Sequence, residues 1–506
     1  MAGVLIETGI YFLLLFTPFA FAGVELWAKG ILQIVAGLTV AIWLLTRAND
    51  LEGRRVGRGR ALALGVPIAL FALVVSFQVI PLPRGWIERL APSTHALYER
   101  AVPGYAEGAP FDVAALPAWL LADKQGEIPP SRRPAGEAAV PDVAAIVPES
   151  SLFPPIASAR RTLSIYPTVT RERLVIFLCF AGLFGVVTGY FRTRERQTRL
   201  AVAAVMSGFL LSLVGILQRL TWNGRLLWLR EGNYENVFGP FVNRNSYAAF
   251  AGTLVPVAAA LALAALAGRA RGRTDMLPRT LLWVFAAVTI AAGVFFSLSR
   301  GGILTTAAAV GALFLLLIYY GRRATELVAL GMVVILCAGF LAWIGPEDVV
   351  ERIGTLSAGQ SVPSFTHRTE AWERVGPMIA ENVAFGTGLG TFRFAFMRHA
   401  PPGDRWWSTA HNEYLELISD TGIAGGLIFA FGMAAYLSII GRPWLFRRSR
   451  DRYLYAGLIS GVFGLLLHAT ANSDMQVPAT GLLLTILGAL VLRLALNAEQ
   501  AGGTAS

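Results

Sequence analysis

One histidine stands among carboxylates at the edge of a hydrophobic run. In WWSTAHNEYLELISDTGIAG, residues 406–425, His411 is followed by Asn412, Glu413, Glu416 and Asp420, and then by the apolar LIFAFGMAAYLSII. A neutral imidazole near pH 7 is suited to take a proton from a hydroxyl. Glu413 or Glu416 can orient it or complete the site, and Asn412 can hydrogen-bond a sugar or a backbone group. For a histidine considered alone, the plainer role is to tie a loop to a helix cap.

Four other polar clusters border apolar runs: FVNRN at 241–245, SLSRGG at 297–302, HRTEAWERV at 367–375 and HATANSD at 468–474. Arg300 lies between two apolar runs, beside Gly301 and Gly302, which allow a sharp turn or an unwound segment with exposed N–H groups. A guanidinium beside such donors suits phosphate, through bidentate hydrogen bonds; the plainer alternative is an arginine that snorkels to lipid headgroups. Arg244 has Asn243 and Asn245 as neighbours, and Asn245 or Ser246 is placed to cap a helix whose N-terminus favours an anion. Arg368 and Trp372 share a face if their segment is helical. A surface helix with a Glu370–Arg374 pair explains most of that segment, and Arg368 as a substrate ligand is the sharper reading.

What positions these groups is a membrane-embedded scaffold. The chain has 506 residues, 55% hydrophobic and 15% charged, with a mean hydropathy of +0.57. Soluble domains carry about a quarter charged residues, so the composition is that of a membrane protein. The net charge of +11 does not indicate nucleic acid, because the arginines fall in short clusters between apolar runs. Cys179 and Cys337 lie inside such runs without metal-ligand spacing and read as packing residues. No cleavable signal peptide is expected, since the first run lacks a basic leader.

About twelve spans are expected, near 4–23, 30–46, 61–80, 173–191, 200–217, 246–267, 280–297, 302–320, 326–344, 422–440, 454–471 and 478–496. The connections RANDLEGRRVGRGR, RTRERQTR, GRARGRTDMLPR, GRRAT and GRPWLFRRSRDR are arginine-rich and all fall on one side, the cytoplasmic one, if both termini lie there. All five polar clusters then face the opposite side. The expected organisation is N-terminal helices in 1–80, an outer loop in 81–172, central helices in 173–344, a catalytic outer loop in 345–421 and C-terminal helices in 422–506. A loosely ordered spacer is expected at 125–150.

A base together with cationic ligands, outside the cytoplasm and far from ATP, fits a sugar donor carried on a lipid diphosphate. Such a donor brings its own leaving group, whose charge arginines can neutralise. Metal catalysis is the rival for diphosphate chemistry. The outer segments lack a DxD motif or a tight carboxylate pair, and Asp420 and Asp474 stand apart in sequence, so no metal and no cofactor is expected.

In order along the chain, FVNRNSYAAF, SLSRGGILT, HRTEAWERVGPMIAENVAFGTGLGTF, AHNEYLELISDTGIAGG and HATANSDMQVPAT resemble the O-antigen ligase and polymerase superfamily of bacterial inner-membrane glycosyltransferases. The resemblance covers about residues 165–490 and includes the approach SIYPTVTRERL. It implies an all-α polytopic fold of the GT-C type and an undecaprenyl-diphosphate-linked oligosaccharide as donor, used on the periplasmic face without metal. By the same resemblance His411 is the catalytic histidine, Arg300, Arg244 and Arg368 contact the diphosphate, and Asn243, Asn245, Asn412 and Glu413 support the site. His468 and Asp474 match a recurrent position without an assigned role. GTGLGTF matches a glycine-rich loop that serves a tight backbone path and not a dinucleotide.

The expectation is therefore an inverting, metal-independent glycosyltransferase of the inner membrane, polymerising O-antigen or exopolysaccharide repeat units. The alternatives are a ligase that transfers the glycan to lipid A-core and a flippase for lipid-linked oligosaccharide. A flippase should carry polar residues at mid-span, whereas LFLLLI and LVALGMVVILCAGFLAW are apolar throughout. The expected partners are the lipid-linked donor, a glycan or lipid A-core acceptor, the bilayer and other polysaccharide export proteins.

Overall fold

In the computed structural model of the chain, residues 1–48, 58–102, 105, 160–232, 236–269, 276–321, 331, 363–400, 407–447 and 449–503 are described. The expected span 326–344 apart from residue 331, Cys337, the spacer 125–150 and the side chain of His367 lie outside them. The fold is an all-α membrane bundle, and among the described residues nine helices are long and apolar enough to cross a membrane.

The helices are α1 (Ala2–Phe19), α2 (Leu26–Ala48), α3 (Arg58–Gln78), α4 (Arg84–Leu90), α5 (Pro92–Ala101), α6 (Pro167–Tyr190), α7 (Arg194–Leu220), α8 (Arg244–Arg269), α9 (Met276–Phe296), α10 (Arg300–Tyr319), α11 (Pro363–Glu381), α12 (Phe392–Ala395), α13 (Glu413–Ile440), α14 (Arg452–His468) and α15 (Pro478–Gly503). Eleven of them match expected spans, and the other four lie in the outer segments 81–172 and 345–421. A two-residue antiparallel ribbon, Arg225–Leu226 with Arg230–Glu231, links α7 to α8.

The bundle is organised around α8. Its sequence AAFAGTLVPVAAALALAALAG is small and apolar on every face, so neighbours can approach it from all sides, and nearly nine-tenths of its apolar stretch is buried. A Cβ on Gly457 of α14 would lie 2.4 Å from the Ala260 Cβ, and one on Gly461 would lie 2.3 Å from the Thr253 carbonyl oxygen. Such contact between backbones is what holds helices together where lipid removes the hydrophobic drive. α15 is the second central helix. Large apolar side chains such as Leu281, Leu315, Leu427 and Phe431 project outward, as a lipid-facing belt requires.

The two ends of the bundle differ in chemistry. At one end Arg194 pairs with Asp451, Arg442 pairs with Glu499 at 2.5 Å, and Arg196 and Arg199 face Glu7 at 3.4 and 3.6 Å. The beginning of α1 and the end of α15 thus share this arginine-rich end. The opposite end carries α4, α5, α11 and α12 with two small cores of their own. One joins Leu82, Ile87, Tyr98, Tyr105 and Leu163; the other joins Val375, Met378, Phe392, Phe396 and Ala410. The segment 81–172 is therefore part helical, and the second core lies directly under the residue preceding His411.

Candidate active site

His411 has a backbone φ of +50°, an uncommon conformation for a residue with a Cβ and one that must be held by its surroundings. Four contacts hold it. The Ala410 N–H donates to Glu416 Oε2 at 3.0 Å, and the Asn412 side chain caps α13 by accepting from the N–H groups of Tyr414 and Leu415, both at 3.1 Å. The Glu413 N–H donates to the Ala469 carbonyl at 2.9 Å. The fourth contact comes from the imidazole, whose Nδ1 lies 3.1 Å from Asn472 Oδ1.

That last bond belongs to a chain that fixes the proton. Asn472 Nδ2 donates to Asp474 Oδ1 at 2.6 Å, and a carboxylate oxygen can only accept there, so the amide is oriented with Oδ1 toward His411. Oδ1 accepts only, so His411 Nδ1 carries the hydrogen and Nε2 the lone pair. Among the described residues Nε2 has no hydrogen-bond partner. Asp474 Oδ2 also lies 2.5 Å from Nδ1 of His468, both groups being buried. Burial pushes the His411 pKa below the ordinary histidine range, and the charge of Arg368 acts the same way; the Asn472 bond and Asp474 oppose them. His411 is thus held as one tautomer, with its pKa on the side that favours the neutral imidazole near pH 7.

The guanidinium groups come from two directions. α11 docks on the His411 loop through Trp372, whose Nε1 donates to the Ala410 carbonyl at 2.8 Å. Arg368, one turn earlier on the same face, acts electrostatically on His411 and Asp474. It has no hydrogen-bond or ion-pair partner among the described residues, and burial holds its pKa below the usual guanidinium range. From the other side, a Cβ on Gly301 would lie 3.4 Å from His468 Nε2, which brings the N-terminus of α10 against the histidine–aspartate pair. Arg300, the first residue of α10, likewise has no hydrogen-bond or ion-pair partner among the described residues.

The NRN segment is tied to that same N-terminus. Ser299 caps α10 by accepting from the Gly302 N–H at 3.2 Å and donates its hydroxyl to Asn245 Oδ1 at 2.8 Å. Arg244 begins α8, half-buried, with its N–H donated to the Asn236 carbonyl at 2.7 Å. All five polar clusters therefore meet, linked by direct contacts, at one end of the bundle.

Several local expectations are corrected. α8 starts at Arg244, and its cap is Asn243, whose Oδ1 accepts from the Asn245 N–H at 2.8 Å; Asn245 is used on Ser299 instead, and Ser246 is not the cap. Gly301 and Gly302 form the first turn of α10, not an unwound segment. The reversal falls at Leu298, with φ +54°, and Gly302 is small because its Cβ would lie 2.3 Å from the Ala248 Cβ. His411 is oriented by Asn472 and by neither Glu413 nor Glu416. Glu416 is a structural anchor, accepting from Ala410, from Ser473 Oγ at 2.8 Å and from Gln476, so it joins the two loops that carry His411 and Asn472. Glu413 turns inward, its buried Oε2 unbonded among the described residues. Asn412 serves the backbone.

Asp420 and Asp474 are not isolated in space. Asp420 Oδ2 accepts from the Gly390 N–H at 2.6 Å, holding the glycine-rich loop against α13. Gly386, Gly388 and Gly390 all have positive φ, which confirms the tight backbone path. α13 itself breaks at Gly422, with φ 65° and ψ −169°, and the freed N–H groups of Ile423 and Ala424 donate to the carbonyls of Val383 and Ala384 at 2.8 and 3.2 Å. Arg173 of α6 acts electrostatically on Glu413, Glu416 and Asp420 and donates to the Gln476 carbonyl at 3.1 Å. Sequence reasoning missed Arg173 as the counter-charge and Asn472 as the orienting group.

An apolar cavity of about 340 Å³ opens between α3, α6, α13, α14 and α15, walled by Phe71, Phe177, Phe429, Leu466 and Thr485. Its lining includes Met475, the residue after Asp474, so the cavity runs into the membrane from beneath the polar cluster.

Fold and site together define a polytopic membrane protein with a histidine base and guanidinium groups gathered at one end of its helices. The sequence profile of the O-antigen ligase family matches residues 285–430, which include Arg300, Arg368 and His411, and this match supports the resemblance to the O-antigen ligase and polymerase superfamily of glycosyltransferase-like membrane enzymes. No curated protein matches the chain.

Proposed function

We propose that this protein transfers a glycan from undecaprenyl diphosphate to a sugar hydroxyl, polymerising O-antigen or exopolysaccharide units on the periplasmic face of the inner membrane. The observation that carries the reading is the tautomer of His411: Nδ1–H is committed to Asn472 and Nε2 is left as an acceptor, beside Arg368. In the reaction His411 Nε2 takes the proton of the acceptor hydroxyl as its oxygen attacks the anomeric carbon. The bond from that carbon to the diphosphate breaks, and the lipid diphosphate leaves with the electron pair. Attack opposite the leaving group inverts the anomeric centre.

Arg300, Arg368 and Arg244 take the charge that develops on the diphosphate, in a low-dielectric setting where such stabilisation is large. No divalent ion is required in this scheme. The prenyl tail lies in the apolar cavity that opens beneath Asp474. The arginine-rich end of the bundle faces the cytoplasm, which puts His411 on the opposite face.

The test is transfer by purified protein with lipid-linked oligosaccharide in the presence of EDTA. Longer lipid-linked chains are expected from wild type. His411→Ala should lose about 10²–10⁴-fold, the contribution of a general base, and Arg300→Ala should lose about 10²–10³-fold. Full activity of folded His411→Ala would end the mechanism. Product formed only when lipid A-core is supplied would make the enzyme a ligase.

A further inference from the structure

A second hollow, of about 320 Å³ and with a mixed polar and apolar lining, lies away from His411 and is unused by the mechanism above. It is walled by α5, α11, α12 and the segment before α6. Asn382, just past the end of α11, is 2% exposed. Its Nδ2 donates to Ser93 Oγ at 2.5 Å, while its Oδ1 is buried and accepts no hydrogen bond among the described residues. A buried carbonyl oxygen left without a donor is costly, so this atom is an acceptor open to a donor from outside the protein. Next to it Glu381 Oε2 is also buried, without a hydrogen bond among the described residues but at ion-pair distance, 3.6 Å, from His399 Nε2.

Aromatic surface completes the hollow. Tyr166, 43% exposed, meets Phe394 edge-on at 4.8 Å. Arg398 lies at the rim, donating to the Ser93 carbonyl at 3.3 Å with donors to spare. The site thus offers an unsatisfied acceptor, a carboxylate, spare guanidinium donors and apolar ring faces within a volume typical of small-ligand pockets. An anion would meet Glu381, and an apolar ligand would leave Asn382 unpaired. A sugar ring satisfies all three, because its hydroxyls both donate and accept and its C–H faces pack on aromatic rings.

We propose that this pocket is a sugar-binding subsite that holds a unit of the glycan away from the bond being made. The proposal rests on the transferase reading. Glu381 lies about 20 Å along α11 from Arg368 at about 1.5 Å per residue, so the subsite holds a unit remote from the reacting end and keeps the chain on the enzyme.

The experiment is isothermal titration of the full-length protein in detergent with the oligosaccharide released by mild acid from the lipid-linked donor. Wild type should bind it. Tyr166→Ala and Arg398→Ala, both at exposed positions with little risk to folding, should each bind at least about 10-fold more weakly while keeping the wild-type unfolding temperature. Absence of binding to wild type, or equal binding by both variants, would overturn the subsite. Transfer that depends on His411 without such binding would sink the subsite alone; a wild type that transfers nothing would sink the transferase reading itself.

Discussion

At the scale of single residues, the proposed base is prepared by two separate devices. Geometry sets which nitrogen is free: Asp474 orients the Asn472 amide, and the amide holds Nδ1–H. Environment sets the protonation state: burial and then the Arg368 charge lower the His411 pKa. The two devices are separable by experiment. As a base His411 must be neutral, so kcat/KM should rise with pH as the imidazolium loses its proton and level off above its pKa, with the acid limb below the ordinary histidine range. Arg368→Gln removes a charge that disfavours the imidazolium, so the limb should move to higher pH, whatever the loss in absolute rate. Asn472→Ala removes a bond that raises the pKa, so its limb should move to lower pH; it also frees the tautomer, and kcat should fall toward the about 10²–10⁴-fold loss of a missing base, with KM for the donor kept. A pH–rate profile of each variant checks this; unmoved limbs in Arg368→Gln would show that the guanidinium does not act on the base.

At the scale of elements, the site is positioned by a break. α13 stops being helical at Gly422, and the glycine-rich loop fills the gap, with Asp420 clasping Gly390. A Cβ on Gly386 would lie 2.4 Å from the Asp420 carbonyl carbon, at φ +67°. Gly386→Ala should therefore lower the unfolding temperature in detergent, the backbone strain alone costing about 1–3 kcal/mol, and should abolish transfer. Gly311→Ala, in the interior of α10 with nothing within 4 Å of its Cβ, should leave stability unchanged or raise it by up to about 1 kcal/mol. Equal effects would mean that the loop is not held as described. The break was half legible in the sequence, since the apolar pattern of the span begins at Gly422 and three spaced glycines announce a tight path. The helices were legible because bilayer thickness imposes a length on apolar runs. Asn472 was not, because an amide that orients a histidine carries no period and no spacing. Arg173 was hidden for a different reason: it lies where an apolar span begins, and only the fold brings the carboxylates of α13 to it. Asn245 and Ser246 were the cap candidates read from the sequence, but the cap falls to Asn243 because Ser299 claims Asn245, a partner that only the fold supplies.

At the scale of the whole molecule, the bundle separates two kinds of chemistry along one axis. The polar cluster occupies helix ends, where backbone donors and charged groups can be satisfied, and the apolar cavity lies directly under it between helices that supply no charge. A substrate with a charged head and a long prenyl tail fits both compartments at once, and remote binding energy in the tail can then hold the reacting end in place. Thr485 of α15 lines the cavity, and its hydroxyl is already satisfied by the Gly481 carbonyl at 2.8 Å, so enlarging it removes space without stripping a polar contact from the ligand. Thr485→Trp should expel two or three CH₂ groups of the tail, about 2 kcal/mol at about 0.8 kcal/mol each, and raise KM for the full-length prenyl donor about 30-fold with kcat kept. A donor with a tail too short to enter the cavity should show the higher KM in wild type and no further change in the variant. KM measured for both donors on both proteins decides it: if Thr485→Trp raises KM equally for the two, the tail lies elsewhere and the cavity is only a packing space.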